Sequence, residues 1–167
     1  MANHYRTEYP ATPERVLSIL TDRDFLREWA AELQFLSHEA DVQEKDGVWS
    51  IYLRLVASTK DIAPIFRRLV GSEIVMHVRR EWIADGNGGY RGKLDIEAKV
   101  KGRPVSVSGS LTLEPSIVGT EFVAEWKTSA KVKIIGGPVR DAIDDLVEES
   151  FEVETIVMQR WLAANRK

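Results

Sequence analysis

The sequence predicts an α+β protein in which a curved antiparallel sheet of about seven strands wraps around a long C-terminal helix. Apolar residues recur at every second position through most of residues 35–130, which is the period of a half-buried strand. On either side of that stretch they recur at helical spacing, over residues 12–33 and from about residue 138 to residue 164. A sheet with one apolar face needs a cover, and the last helix is long enough to supply it.

A first strand is expected at residues 3–9, and two short helices are expected to follow it. Thr12 can cap the first helix, and Pro13 suits its first helical position. The second helix begins near Asp22 or Asp24. Its apolar residues at helical spacing are Phe25, Leu26, Trp29 and Leu33. These spacings predict that each helix packs one side against the rest of the protein.

Turn sequences divide the alternating stretch into consecutive antiparallel strands. Lys45-Asp46-Gly47 and Gly86-Asn87-Gly88-Gly89 are typical of hairpin turns. Residues 58–72 interrupt the alternation and contain Pro64, which favours a loop or a short helix. Each strand has an apolar side and a polar side, so we expect a meander with one buried and one solvated face. In the first strand of the meander, the predicted buried side consists of Leu36, His38, Ala40 and Val42.

The buried side of the last helix follows from the turn of about 100° per residue. That count predicts an apolar stripe made of Val139, Ile143, Leu146, Val147, Val157 and Trp161. Two polar residues, Ser150 and Glu154, lie in the middle of the stripe. A buried carboxylate is costly unless it is paired or reached by water, so Glu154 is expected to have a partner in the interior.

Composition limits the classes of partner and of chemistry. The chain has 167 residues with 23 Lys and Arg and 26 Asp and Glu, a formal charge of −3, so we expect no nucleic-acid partner. The absence of cysteine removes disulfides, thiol nucleophiles and iron–sulfur clusters. No segment approaches the ~20 apolar residues that span a bilayer, and the N-terminus lacks an apolar signal region. We therefore expect one cytoplasmic domain over residues 1–167 with no integral membrane segment.

The opening Tyr9-Pro10-Ala11-Thr12-Pro13-Glu14-Arg15-Val16, followed by Asp22-Arg23-Asp24-Phe25-Leu26, resembles a known family. It is similar to an uncharacterised actinobacterial family, a domain of unknown function, within the START and birch-pollen-allergen-like superfamily. The resemblance covers nearly the whole chain and implies the helix-grip fold. Members of the superfamily bind lipids, hormones or quinones, cyclise polyketides, or assist chaperones. Resemblance of fold alone therefore leaves the activity open.

Polar residues predicted to point inward define the candidate site. Arg80 shares the face of Ile74, Met76, Val78 and Trp82, and His38 also falls on an apolar face. One hypothesis is that Glu154 contacts Arg80 across the interior, with His38 or Ser150 nearby. These residues would then orient the polar end of an apolar ligand. The alternative is that these residues have no role in binding. A β-bulge could reverse which side chains of a strand face inward, or Glu154 could form a salt bridge without any ligand.

The function predicted from these residues is the binding of a small hydrophobic or lipid-like molecule between the sheet and the C-terminal helix. Its expected contacts are Glu154, Arg80, Ser150 and His38 at the polar end, and Trp82, Trp126 and Val157 along the apolar body. The tryptophans could line a pocket or fill it. Two alternatives stay open: an enzyme of the cyclase, dehydratase or isomerase type, and a protein-interaction module with a filled core. We expect no metal and no cofactor. A homodimer is compatible with the sequence.

Overall fold

The computed structural model describes residues 2–60, 67–68, 71–100, 102–130 and 136–164. Within them, a seven-stranded antiparallel sheet has the order β1-β7-β6-β5-β4-β3-β2. Its strands are β1 (Asn3–Tyr9), β2 (Ser37–Lys45), β3 (Val48–Ser58), β4 (Glu73–Ala84), β5 (Tyr90–Val100), β6 (Arg103–Pro115) and β7 (Thr120–Ala130). The helices are α1 (Pro13–Leu20), α2 (Arg23–Glu32) and α3 (Gly136–Ala164). The predicted α+β helix-grip architecture is confirmed.

Thr12 caps α1 as predicted, and Asp22, one of the two residues near which the second helix was expected to begin, caps α2. The Thr12 hydroxyl accepts a hydrogen bond from the Arg15 amide at 3.2 Å, and the Asp22 carboxylate accepts one from the Asp24 amide at 2.8 Å. Both bonds satisfy amides that the first turn of a helix leaves without an internal partner. Most of the interrupted stretch at 58–72 lies outside the described residues, including Pro64; within it Arg67 and Arg68 are helical.

Leu36 does not join the buried face of the first meander strand, as the alternation predicted. Its side chain is 56% exposed, whereas His38, Ala40 and Val42 are half-buried on the inner side. β2 begins at Ser37, so Leu36 belongs to the connection that follows α2 rather than to the pleated strand. It reaches the sheet through its backbone, because its amide donates to the Val56 carbonyl at 2.8 Å.

Two tryptophans of the inner face stand opposite glycines on neighbouring strands. Trp82 of β4 pairs with Gly92 of β5, and Trp126 of β7 pairs with Gly109 of β6. A Cβ at Gly92 would lie 2.9 Å from Trp82 Cε3, which is closer than side chains approach one another. The glycines therefore leave the space into which the two indoles pack.

We expect Gly109→Ala to lower the free energy of unfolding by about 1–3 kcal/mol, the usual effect of overpacking. The new Cβ would overlap the Glu125 carbonyl oxygen and lie 3.0 Å from Trp126 Cβ. Urea unfolding followed by circular dichroism measures the loss, and tryptophan fluorescence reports the displaced indole. Ser110→Ala is the matched control, because Ser110 is exposed on the outer face of the same strand. Equal stability of the two variants would contradict this prediction.

The C-terminal half of α3 is attached to α2 and to β1. The hydrogen bonds to α2 join Trp29 Nε1 to the Ser150 carbonyl at 2.9 Å, Arg160 Nη2 to Glu32 Oε1 at 2.9 Å and Trp161 Nε1 to Glu28 Oε2 at 2.9 Å. On the other side, the Thr155 hydroxyl is 2.7 Å from the Tyr5 hydroxyl and 3.3 Å from the Tyr9 hydroxyl. This half of the helix is thus held from two directions.

The N-terminal half of α3 is attached to β7 through Asp144. Its carboxylate accepts hydrogen bonds from the Thr128 hydroxyl at 2.5 Å and from Trp126 Nε1 at 3.3 Å. Near these attachments, Ile143, Val147 and Phe151 are buried in the core. No helix in the described part of the chain has the length and apolar character needed to cross a bilayer.

Candidate functional site

A buried ion pair joins the sheet to α3 in the middle of the molecule. The alternation of β4 turns Arg80 inward between Val78 and Trp82, and the turn of α3 directs Glu154 toward it. Arg80 Nη1 donates to Glu154 Oε1 at 2.6 Å, and the two side chains are 5% and 2% exposed. The structure therefore brings together the two charges that the sequence placed on facing apolar surfaces.

The pair leaves part of its hydrogen-bonding capacity unused. Arg80 Nε and Glu154 Oε2 are buried and have no hydrogen-bond partner among the described residues, and the same holds for Trp82 Nε1 two positions along β4. Among the described residues that are buried, Arg80 and Glu154 are the charged ones. The described part of the interior thus contains one positive and one negative charge, together with two donors and one acceptor without partners.

Aromatic rings and hydroxyl groups surround this pair. The Arg80 guanidinium carbon lies 5.3 Å from the centre of the Phe151 ring, a distance suited to a cation–π contact. Burial, followed by the nearby Glu154 charge, raises the pKa of Tyr9 well above its ordinary value. The pKa of Tyr5 is also raised, chiefly by burial. Both phenols therefore remain neutral hydrogen-bonding groups at ordinary pH.

An apolar cleft lies between α3, the C-terminal end of α2 and strands β3 to β5. Its volume is about 30 Å³. It is lined by Trp29, Phe35, Leu55, Met76, Val78, Arg80, Leu94, Ile96, Ile143, Leu146, Val147, Ser150 and Phe151. Phe35, Ile96 and Leu146 are only half-buried, so the cleft opens to solvent beside them. Since a water molecule needs about 10–15 Å³, a cleft of this volume has room for about two.

The predicted site residues fall into three positions relative to this cleft. Arg80 and Ser150 line it, and the Ser150 hydroxyl donates to the Val147 carbonyl at 2.6 Å. Glu154 is not among the lining residues and contacts Arg80 from α3. His38 is half-buried on the inner side of β2, at the edge of the sheet.

The remaining predicted contacts are packed inside the core. Trp82, Trp126 and Val157 are at most 2% exposed, and none of them belongs to the cleft wall. The sequence left open whether the tryptophans line a pocket or fill it. Trp82 and Trp126 fill the interior. A role in ligand recognition stays a prediction for all seven predicted residues.

Sequence reasoning missed Phe151, which occupies the centre of the packing beneath α3. Its ring lies 5.7 Å from Tyr5, 5.7 Å from Phe122 and 5.5 Å from Trp126, measured between ring centres. At about 100° per residue it falls about 80° from Ile143, outside the narrow stripe used for prediction. A wider stripe, as expected for a helix that a curved sheet surrounds, would have included it.

A larger depression of about 450 Å³ lies on the outer, solvated face of the sheet. Its polar lining includes Tyr52, His77, Arg79, Asp95 and Glu97. The Tyr52 hydroxyl is 2.6 Å from His77 Nδ1, and Arg79 stands opposite Asp95 in the pairing of β4 with β5. These contacts are typical of cross-strand pairs on a solvated face. Within the described ranges, no group of His, Cys, Asp and Glu side chains is arranged to hold a metal ion.

The strand order and the long C-terminal helix define a START-like helix-grip fold. Residues 4–162 match the family described as protein of unknown function (DUF2505), and the chain belongs to that family. No curated protein matches the chain. That the family is actinobacterial stays a prediction of the sequence.

Solved structures share the fold at low sequence identity. A Thermus thermophilus protein, TTHA0849, is 23% identical with a TM-score of 0.64 over 99% of both chains. A STAR-related lipid transfer protein from Xanthomonas axonopodis is 16% identical with a TM-score of 0.59, over 95% of this chain and 86% of that one. An uncharacterised Rhizobium leguminosarum protein is 15% identical with a TM-score of 0.59, over 99% of this chain and 95% of that one. At these identities the similarity concerns the fold alone.

Proposed function

We propose that the protein binds a small hydrophobic molecule in the cleft between α3 and the sheet. The observation that carries this proposal is the composition of the cleft wall, in which apolar side chains surround the buried Arg80. Small-molecule sites commonly combine an apolar wall with a few polar groups that fix orientation. The unpartnered Nε of Arg80 is a donor suited to that task.

Binding requires the cleft to widen. Its volume of about 30 Å³ is far below the roughly 300–1,000 Å³ of sites for drug-sized ligands. Phe35 and Leu146 at the mouth are half-buried, so moving them exposes less apolar surface than moving a core residue. The proposal therefore concerns a ligand whose apolar contacts replace those lost when the cleft opens.

The fold gives a second, weaker line of support. A STAR-related lipid transfer protein has a similar structure, and its name connects this architecture with a lipid. Because one fold hosts many functions, that support is an analogy, and the residues of the cleft must carry the proposal. A cytoplasmic location and a homodimer remain predictions of the sequence.

We expect 1-octanol to bind the wild-type protein and to shift the amide resonances of residues 146–151 and 76–80. Nuclear magnetic resonance of isotope-labelled protein measures both the site and the affinity. Leu146→Trp should weaken binding by about tenfold or more, because the larger ring would occupy the cleft mouth.

Ile156→Trp is the control for that substitution. Ile156 lies on the same helix, but its side chain is exposed and absent from the cleft wall. This variant should bind 1-octanol as the wild type does. The proposal would be contradicted if saturating octanol left the cleft resonances unshifted, or if the two tryptophan variants bound equally well.

A second candidate function is a protein-interaction module. The filled interior around Trp82 and Trp126 favours it, as does the exposure of Ile117 and Val118 at the turn between β6 and β7. A partner that bound the wild type but not Ile117→Ser would support this alternative. The same partner should then bind Leu146→Trp normally, which separates the two functions.

A further inference from the structure

The charge balance of the buried site determines which ligands it can accept. Arg80 is already neutralised by Glu154, with 2.6 Å between Nη1 and Oε1. The Asp144 carboxylate is engaged with Thr128 and Trp126, and the buried phenols of Tyr5 and Tyr9 are neutral. The interior therefore has no uncompensated positive charge among the described buried residues.

An anionic ligand group would be poorly stabilised in such a site. Its attraction to Arg80 would be opposed by repulsion from Glu154, while the loss of its hydration would cost several kcal/mol. A neutral group avoids that cost and can still accept a hydrogen bond. On the cleft wall the available group is the donor Nε of Arg80. Trp82 Nε1 and Glu154 Oε2 also have no partner among the described residues, but neither residue lines the cleft.

We propose that the site selects uncharged apolar molecules that carry a hydroxyl or carbonyl group, and discriminates against carboxylates and phosphates. The inference rests on the proposed function and specifies its ligand class. A hydroxyl or carbonyl oxygen accepts a hydrogen bond from Arg80 Nε, and a hydroxyl can in addition donate to an acceptor. Glu154 acts as a specificity-determining residue because its charge excludes a second anion.

The test compares three probes of equal chain length: 1-octanol, 2-octanone and octanoate. At about pH 7, where the acid is ionised, octanoate should bind the wild-type protein about tenfold or more weakly than either neutral probe. Lowering the pH toward about 5 should strengthen the binding of octanoic acid, because its neutral form becomes available. The affinity for 1-octanol should change little over the same range, which controls for effects of pH on the protein itself.

Glu154→Gln should reverse the preference. The amide removes the negative charge and leaves Arg80 uncompensated, so octanoate should gain about tenfold or more relative to 1-octanol. Glu149→Gln serves as the control, because it makes the same substitution at an exposed residue of α3 outside the cleft wall, and its ratio of octanoate to octanol affinity should match that of the wild type. Circular dichroism establishes that each variant is folded.

The outcomes separate the two proposals. Octanoate binding as tightly as 1-octanol to the wild type would overturn this inference and leave the proposed function intact. An unchanged affinity ratio in folded Glu154→Gln would do the same. If none of the three probes bound to the wild type, both the proposed function and this inference would be overturned.

Discussion

Replacing Arg80 by methionine should lower the free energy of unfolding by about 3–5 kcal/mol. Methionine fills the space of the arginine side chain without its charge. The Glu154 carboxylate, which is 2% exposed, is then left without its partner. The cost comes from an uncompensated buried charge more than from the lost attraction. Urea unfolding monitored by circular dichroism measures the change.

The double variant Arg80→Met/Glu154→Leu tests that explanation. With both charges removed, we expect its stability to return to within about 1 kcal/mol of the wild type, because apolar replacements of a buried pair are often neutral. The losses from the single substitutions should therefore not add. Additive losses in the double variant would show that packing, and not the unpaired charge, causes the effect.

The pair formed by Arg160 and Glu32 provides a matched control on the surface. Arg160 Nη2 lies 2.9 Å from Glu32 Oε1, but the two side chains are 50% and 47% exposed. Solvent screens such pairs, so Arg160→Met should cost less than about 1 kcal/mol. A loss as large as that of Arg80→Met would contradict the role assigned to burial.

Phe151→Ala should also lower the free energy of unfolding by about 3–5 kcal/mol, the usual cost of removing a buried phenylalanine. The ring is 1% exposed and contacts three aromatic residues together with the Arg80 guanidinium. Its removal also enlarges the cleft that it lines. Urea unfolding measures the loss of stability.

A small apolar molecule should recover part of that stability. Benzene can occupy an apolar cavity of the size left by an aromatic ring, and binding to the folded state raises the free energy of unfolding. The wild type and Ile156→Ala should gain less from benzene, and Ile156→Ala alone should stay within about 0.5 kcal/mol of the wild type. No gain for Phe151→Ala would mean that the enlarged cleft collapses.

The periodicity of the sequence predicted the sheet and the partners of the ion pair. Alternation in β4 placed Arg80 inside and the helical count placed Glu154 in the buried stripe, so the hypothesis that they meet could be drawn from spacing. The structure shows the contact. The capping residue Thr12 similarly located the start of α1. These features are set by local spacing and by the hydrogen-bonding demand of the backbone.

The shape of the interior could not be predicted in the same way. Whether Trp82 and Trp126 line a cavity or fill it depends on how far α3 lies from the sheet, which no local pattern specifies. Phe151 was missed because the sheet curves around more of the helix than the narrow stripe assumed. Leu36 was misplaced because alternation does not reveal the residue at which a strand begins.

The unequal attachment of α3 has a consequence for access to the cleft. Side chains of α2 and β1 hold the helix from Ser150 onward, whereas in the described residues its N-terminal half is hydrogen-bonded to the sheet through Asp144. A tilt that lifts the N-terminal end about the fixed C-terminal half breaks fewer of these bonds than a uniform outward shift. Ile143, Leu146 and Val147 lie on the lifted end, so we expect this pivoting movement, rather than a uniform shift of the helix, to accompany widening of the cleft.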